Sequence, residues 1–274
     1  QIFGDRGKLS DNRFDIMNCL KDNNFKTNVE NYPEFYIRCG LYDQVHRKNA
    51  PDSSGSKRIT IGGFMETDRL YRVQREDLPE LEKLLTECFR EDPLYQKLIP
   101  NEEIRKRLMP ELFKCDLSEF YETCEIYADT KDLNSLLVVS DEAESYNLFK
   151  YYFTEIEAVL RTEGYLLKED ASMKTFWNFV LGRDYLNSNW TDQLHQDNRL
   201  HVIYLAVRPS MQHHGLAACL MNEVIRYADE HHMMVSLETH NPKNVEFYQH
   251  LGFKLYGVLN KHFDLKQYCM IREV

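Results

Sequence analysis

Long apolar runs are missing from this sequence. No stretch approaches the run of about 18 apolar residues that a membrane-crossing helix needs, so no membrane partner is expected. Cys-x-x-C pairs are missing too. Seven cysteines (Cys19, Cys39, Cys88, Cys115, Cys124, Cys219 and Cys269) are scattered and odd in number. That pattern argues against a disulfide framework and for free thiols in a reducing compartment. The opening Gln1-Ile2-Phe3-Gly4-Asp5-Arg6 is polar and lacks the apolar core of a secretory leader. Together these features predict a cytoplasmic protein. Positive charge is also short, with 34 Lys and Arg against 44 Asp and Glu and a formal net charge of −10. A nucleic-acid binder should be basic, so none is expected as a partner. A cationic small substrate is compatible with this charge. What remains is ordinary globular material, 43% hydrophobic and 28% charged, with 17 Tyr and 15 Phe to fill a core.

Residues 1–63 read as an N-terminal extension of unknown role. They are charged and Asn-rich, carry a loop at Asn49-Ala50-Pro51-Asp52-Ser53-Ser54-Gly55-Ser56, and hold no motif. Residues 64–274 read as the main domain. Leu70-Tyr71-Arg72-Val73 predicts a short strand. Asp77-Leu78-Pro79-Glu80 predicts a helix start, with Asp77 as cap and an early proline. Leu78, Leu81, Leu84, Leu85, Cys88 and Phe89 then lie on one helical face. A second helix is expected over Glu102 to Lys114. A hairpin follows over Glu125–Ala128 and Leu133–Ser140, turning at Asp129-Thr130-Lys131-Asp132. Aromatic-rich helical blocks near Ser145–Thr162 and Ser172–Leu186 form a helical insert.

The last quarter is the most regular. His201–Val207 predicts a buried strand, Gly215 to about Tyr227 a helix, and Met233–Thr239 another strand. Asn241-Pro242 caps a short helix that ends at Gly252. Lys254–Leu259 and Tyr268–Arg272 complete the sheet. The order implies an α/β domain with a mixed sheet.

The candidate site is Val207-Arg208-Pro209-Ser210-Met211-Gln212-His213-His214-Gly215-Leu216-Ala217. A strand runs into a turn, and a glycine opens a helix. Such a junction aims unpaired N–H groups and the positive end of a helix dipole outward, which suits a pyrophosphate. Small residues at Gly215 and Ala217 leave room for phosphates to approach the backbone. Glycine in a tight turn is also required for steric reasons alone.

Further residues add to this turn. Gln212, Gly215 and Ala217 match the Gln/Arg-x-x-Gly-x-Gly/Ala pattern of the GNAT superfamily of N-acetyltransferases. Leu237-Glu238-Thr239 follows, and then Asn244 to Phe253, which is similar to that family's Asn-x-x-x-Tyr-x-x-x-Gly-Phe segment. Cys88 to Pro93, Leu98-Ile99-Pro100 and the helical insert resemble the puromycin-acetyltransferase-like branch. The resemblance spans roughly Leu70 to Val274.

The resemblance implies a GNAT-like fold, a mixed and mostly antiparallel twisted sheet flanked by helices. It also implies acetyl-CoA as co-substrate, with no metal. Leu205, Ala206 and Val207 would run along the pantetheine arm like an added strand. The N–H groups of Gln212, His213, His214, Gly215, Leu216 and Ala217 would hold the pyrophosphate. Asn244 would contact the pantetheine, and Tyr248, four residues on, would protonate the leaving thiolate. A tyrosine in an amphipathic helix also serves as plain core. The sequence departs from the branch at His213-His214, where Gly-Arg is common: His213 must hold a turn that glycine adopts more easily. Four histidines, His213, His214, His231 and His232, raise a metal-site alternative, but the pairs flank opposite ends of a helix about 25 Å long.

An alkylammonium must lose a proton before it attacks a thioester. Glu238 is the candidate base, because strand alternation sets it opposite Leu237. A solvent-facing or salt-bridged Glu238 is the competing reading, and His201 and His240 could relay the proton through water. The N–H near Val207 would stabilise the developing oxyanion. The expected function is N-acetylation of a primary amine on a small molecule, by direct attack. The alternatives are a non-catalytic acyl-CoA sensor or interaction module, and a protein or peptide N-acetyltransferase. The aromatic-rich insert favours a covered pocket. Neither the amine nor the oligomeric state follows from the sequence.

Overall fold

The computed structural model describes residues 65, 67–141 and 170–274, with the side chains of 170–173 left aside. The extension 1–63 and the helical block near 145–162 lie outside the described residues.

Strand β1 (Tyr71–Arg72) leads through a 3-10 turn into helices α1 (Leu78–Phe89), α2 (Pro93–Leu98) and α3 (Glu102–Thr123). Helix α1 starts after Asp77 with Pro79 in its first turn, as expected, but the Asp77 side chain does not cap it and instead closes the preceding 3-10 turn. Gln74, not Asp77, is the extended residue, and Asp77 Oδ2 accepts from the Gln74 N–H at 2.8 Å and the Tyr71 hydroxyl at 2.9 Å. Helix α3 also runs nine residues beyond the expected Lys114, continuing past its internal Pro110. Leu112, Phe113, Leu117 and Phe120 keep its buried face apolar to the end.

The hairpin β2 (Glu125–Ala128) and β3 (Ser135–Ser140) forms as expected. Next come α4 (Asp170–Leu181) and two 3-10 segments, then β4 (Arg199–Val207), α5 (Leu216–His231) and β5 (Met234–Thr239). Helix α6 (Pro242–His250) and strands β6 (Lys254–Leu259) and β7 (Gln267–Arg272) complete the domain. Asn241 caps α6 by accepting from the Lys243 N–H at 3.1 Å, and Gly252 beyond it takes φ 88°. Seven strands form one sheet in the order β1-β2-β3-β4-β5-β7-β6. Every pairing is antiparallel except β4 with β5.

Two apolar clusters cover the two faces of this sheet. One gathers α1, α2 and α3 over Leu136, Val138, Tyr204 and Ala206. The other gathers α5 and α6 over Leu137, Val139, Leu200, Val202 and Leu237. On β3 the alternation is regular. On β4 it reverses: Leu200 and Val202 face α5, whereas Tyr204 and Ala206 face the other way. The cause is a bulge at Ile203, since Val138 pairs with Tyr204 while Val139 pairs with Val202. One extra residue in a strand exchanges its two faces. This bulge positions the site.

Candidate functional site

Strands β4 and β5 run parallel from Arg199 opposite Met234 to Val202 opposite Leu237, and there their pairing ends. The bulge follows at once, so β4 from Ile203 to Val207 has no register partner on β5. Beyond the strand, the Arg208 N–H bonds to the Asn134 carbonyl at 2.8 Å. Hydrogen-bonding residues alternate along an antiparallel ladder. Counting back from Arg208, Ala206 and Tyr204 turn their backbone groups to β3, and Leu205 and Val207 turn theirs to the gap. Two of the three predicted strand residues therefore present main-chain groups to the opening, while Ala206 faces β3. The Val207 carbonyl already accepts from Gln212 Nε2 at 3.2 Å and Cys88 Sγ at 3.2 Å. Gln212 thus ties the turn to the strand end through its side chain.

The turn itself is built on two left-handed residues. His213 has φ 65° and Gly215 has φ 81°. The tension expected at His213 is present, because a residue with a Cβ occupies a conformation that favours glycine. His214 Nδ1 lies 2.8 Å from the Gln212 carbonyl, which folds the turn on itself. Residues 212–215 are exposed, and a Cβ placed on Gly215 would meet no protein atom within 4 Å. The first i→i−4 bond of α5 runs from the Cys219 N–H to the Gly215 carbonyl at 2.9 Å. The N–H groups of Leu216, Ala217 and Ala218 precede it and lie at the positive end of a 16-residue helix. A fit for a pyrophosphate is thus met by backbone geometry, with no fixed cation in the turn.

Tyr248 lies on α6 within the α5–α6 cluster, 7% exposed, its ring 5.1 Å from Phe247 and 5.7 Å from Phe253. Its hydroxyl makes no hydrogen bond to a described residue, and burial raises the phenol above its ordinary value, so it keeps its proton at neutral pH. Asn244, one turn earlier, is exposed and donates to Thr239 Oγ1 at 3.1 Å.

Glu238 occupies the other face, one residue past the last β4–β5 pair. It is neither solvent-facing nor held by Lys or Arg: its Oε2 accepts from Trp190 Nε1 at 2.9 Å, and its side chain is 19% exposed. His201 Nε2 stands 3.5 Å from the same oxygen. His240 follows on the chain, with Nε2 3.1 Å from Gln267 Oε1. Burial lowers the His240 imidazole below its ordinary value, against the opposing pull of Asp92 and Glu238. Burial likewise raises the Asp92 carboxyl, which caps α2 by accepting from the Leu94 N–H at 2.9 Å. The structure therefore places His201 beside Glu238, while His240 is held on Gln267. It adds Trp190, Asp92, Gln267 and Tyr185, whose ring sits 6.0 Å from His240. Trp190 is 48 positions from Glu238, and no local pattern announces that contact. Asp92 shows in the sequence only within the Cys88 to Pro93 stretch of the family resemblance.

The metal alternative finds no geometry. His213 and His214 precede α5, and His231 and His232 end it. Among the described residues no group of three or more His, Cys, Asp or Glu could hold an ion. No helix among them is long and apolar enough to cross a membrane.

The profile of the acetyltransferase (GNAT) family matches residues 111–253, just over half of the chain. No curated protein sequence matches significantly. Among solved structures, a histone acetyltransferase HPA2 and related acetyltransferase from Corynebacterium glutamicum aligns with TM-score 0.50 and 14% identity, over 74% of this chain and 94% of that one. That likeness bears on the fold alone, which is the mixed α/β fold expected. The PaiA N-acetyltransferase of Thermoplasma acidophilum, solved with coenzyme A, aligns at TM-score 0.45 and 13% identity, over 75% and 98%. The polyamine N-acetyltransferase of Drosophila melanogaster aligns at TM-score 0.43 and 14% identity, over 75% and 99%.

Proposed function

This chain belongs to the GNAT acetyltransferase family, and we propose that it moves an acetyl group from acetyl-CoA to a primary amine of a small molecule. The observation that carries this reading is the parting of β4 and β5 after Val202 and Leu237. It leaves a strand edge at Leu205 and Val207, from which the chain turns into the N–H groups that open α5. An extended pantetheine would lie on that edge as an added strand, with its pyrophosphate at residues 213–218. The co-substrate supplies the activated acetyl thioester.

The remaining chemistry falls to side chains on opposite faces of the sheet. Glu238, beside the gap, accepts the proton of the incoming ammonium. The amine then attacks directly, since no acyl-enzyme nucleophile is needed. The Val207 N–H faces the gap and stabilises the negative charge on the carbonyl oxygen. Tyr248, protonated and with no hydrogen bond to another described residue, supplies the proton that the departing sulfur takes up. Aromatic side chains around Glu238, namely Trp190 and Tyr256 with ring centroids 5.6 Å apart, favour a small organic amine. We assign the branch only as far as the family; the Cys88–Pro100 pattern makes the puromycin-type branch our preferred placement.

The test is a screen of aminoglycosides, polyamines and arylalkylamines with acetyl-CoA, reading thiol release and N-acetylated product by mass spectrometry. Product from at least one amine is expected. Acetyl-CoA binding without product from any of them would instead identify a sensor.

A further inference from the structure

We infer that the base is a pair, with His201 Nε2 as the resting place of the proton that Glu238 takes from the amine. This rests on the acetyl-transfer reading above and assigns a further residue to it.

The argument starts from a chain of hydrogen bonds on one face of the sheet. Ser236 Oγ lies 3.3 Å from the Leu200 carbonyl and 2.9 Å from His201 Nδ1. A carbonyl can only accept, so the serine hydroxyl donates to Leu200. Its oxygen must then accept from His201, which puts the imidazole proton on Nδ1. The other nitrogen, Nε2, is left with its lone pair. It is buried, makes no hydrogen bond to a described residue, and stands 3.5 Å from Glu238 Oε2. His201 as a whole is 3% exposed.

Two acceptors facing each other at that distance in a buried setting are an unsatisfied arrangement, and one proton satisfies it. Trp190 donates to Glu238 but cannot fill this role, because its N–H stays with the indole. The proton removed from the ammonium nitrogen passes through the Glu238 carboxyl to His201 Nε2. Its lone pair forms the new N–H bond, and the amine keeps the electron pair with which it attacks. The product state is an imidazolium–carboxylate pair, hydrogen-bonded at both ring nitrogens. Since His201 acts through Glu238, it is a positioning residue in this reaction.

The other groups facing the pair do not compete for the proton. Ser236 is committed to Leu200, and Ser140 is the register partner of His201 on β3. On β7, Cys269 sits opposite Glu238, with its thiol pushed up to about 12 by burial and by Glu238. His240 is held against Gln267, with Asp92 beyond it, and Tyr256 lies tilted against Trp190.

Two readouts test this. Nitrogen-15 NMR of the histidine-labelled full chain, with His201 assigned by its absence in His201→Gln, should show a neutral ring protonated at Nδ1. In Ser236→Ala the ring should become a mixture of tautomers. A wild-type ring protonated at Nε2 overturns the inference, whatever the activity. The second readout is the pH profile of acetyl transfer with tyramine, agmatine and spermidine. Without the pair, only amine already deprotonated in solution reacts, so the rate of His201→Gln should climb about tenfold per pH unit towards the amine's own ionisation. The wild-type profile should level off well below it. Acetyl-CoA KM should stay within about twofold of wild type. If wild type and His201→Gln share one profile while Glu238→Gln is inactive, the pair is refuted and the acetyl-transfer reading stands. If wild type acetylates no amine of the wider screen above, that reading is what fails, and the NMR result still decides the pair.

Discussion

Val202 and Leu237 are the last register partners of two parallel strands that separate one residue later. Everything assigned to the site follows from that parting. The bulge at Ile203 turns β4 away, frees the backbone of Leu205 and Val207, and leaves Glu238 at the edge of the opening.

Tyr248→Phe should lower kcat about 100-fold or more and leave acetyl-CoA affinity within about twofold. The tyrosine hydroxyl makes no hydrogen bond to a described residue, so thermal stability should not fall. Steady-state kinetics with calorimetric binding separates the two effects. Unchanged kcat would remove Tyr248 from the chemistry.

Glu238→Gln should reduce kcat by about 10²–10⁴-fold. The amide oxygen can still accept from Trp190, so the fold near the site is kept and circular dichroism should match wild type. Recovery of the rate at high pH would show that the lost function is proton removal.

The turn predicts opposite effects for two glycine exchanges. His213→Gly relieves a left-handed residue at φ 65° and should stabilise the protein by about 0.5–1 kcal/mol. Gly215→Ala imposes the same conformation at φ 81° and should cost about 1–2 kcal/mol, although open space surrounds the added methyl. Chemical denaturation of both variants measures the difference. Acetyl-CoA should also bind Gly215→Ala more weakly.

Cysteine reactivity offers a map that needs no acceptor. Burial pushes the Cys88 and Cys269 thiols up to about 12, so both should resist alkylation at pH 8. Cys219 is exposed in the first turn of α5 and should react first among the cysteines of the described residues. Acetyl-CoA should slow that reaction, as peptide mass mapping would show.

Acid stability should depend on Glu223, buried on α5. Burial alone would raise its carboxyl, but bonds from Thr67 at 3.0 Å, Arg226 at 3.1 Å and Arg69 at 3.0 Å hold it below its ordinary value. A lowered carboxylate contributes stability in full above the unfolded value of 4.5 and loses it as pH falls below. Glu223→Gln should therefore cost about 1–3 kcal/mol at pH 7 and progressively less below pH 4.5. Urea denaturation at pH 7 and pH 3.5 compares them.

Much of this architecture was legible in the sequence, because it is local. The caps at Asn241 and Gly252, the hairpin turn at Asp129–Asp132 and the strand–Gly–helix junction each follow from a few neighbouring residues. The length of α3 was not, since only the packing of Leu117 and Phe120 carries it beyond the expected Lys114 to Thr123. Nor was the bulge. A strand of nine mostly apolar residues gives no sign of where its faces exchange, and only pairing with β3 reveals it. In the site, Gln212, Gly215 and Tyr248 stood out through the family resemblance. Trp190 and the Ser236–His201 contact depend on chain segments brought together over 48 and 35 positions.

The most direct test of the account is amide hydrogen exchange at single-residue resolution, with and without acetyl-CoA. The account predicts slowed exchange at Leu205, Val207 and the N–H groups of residues 213–218, with Ala206 and β2 unchanged. Binding that slows exchange elsewhere and leaves Leu205 and Val207 untouched would contradict it.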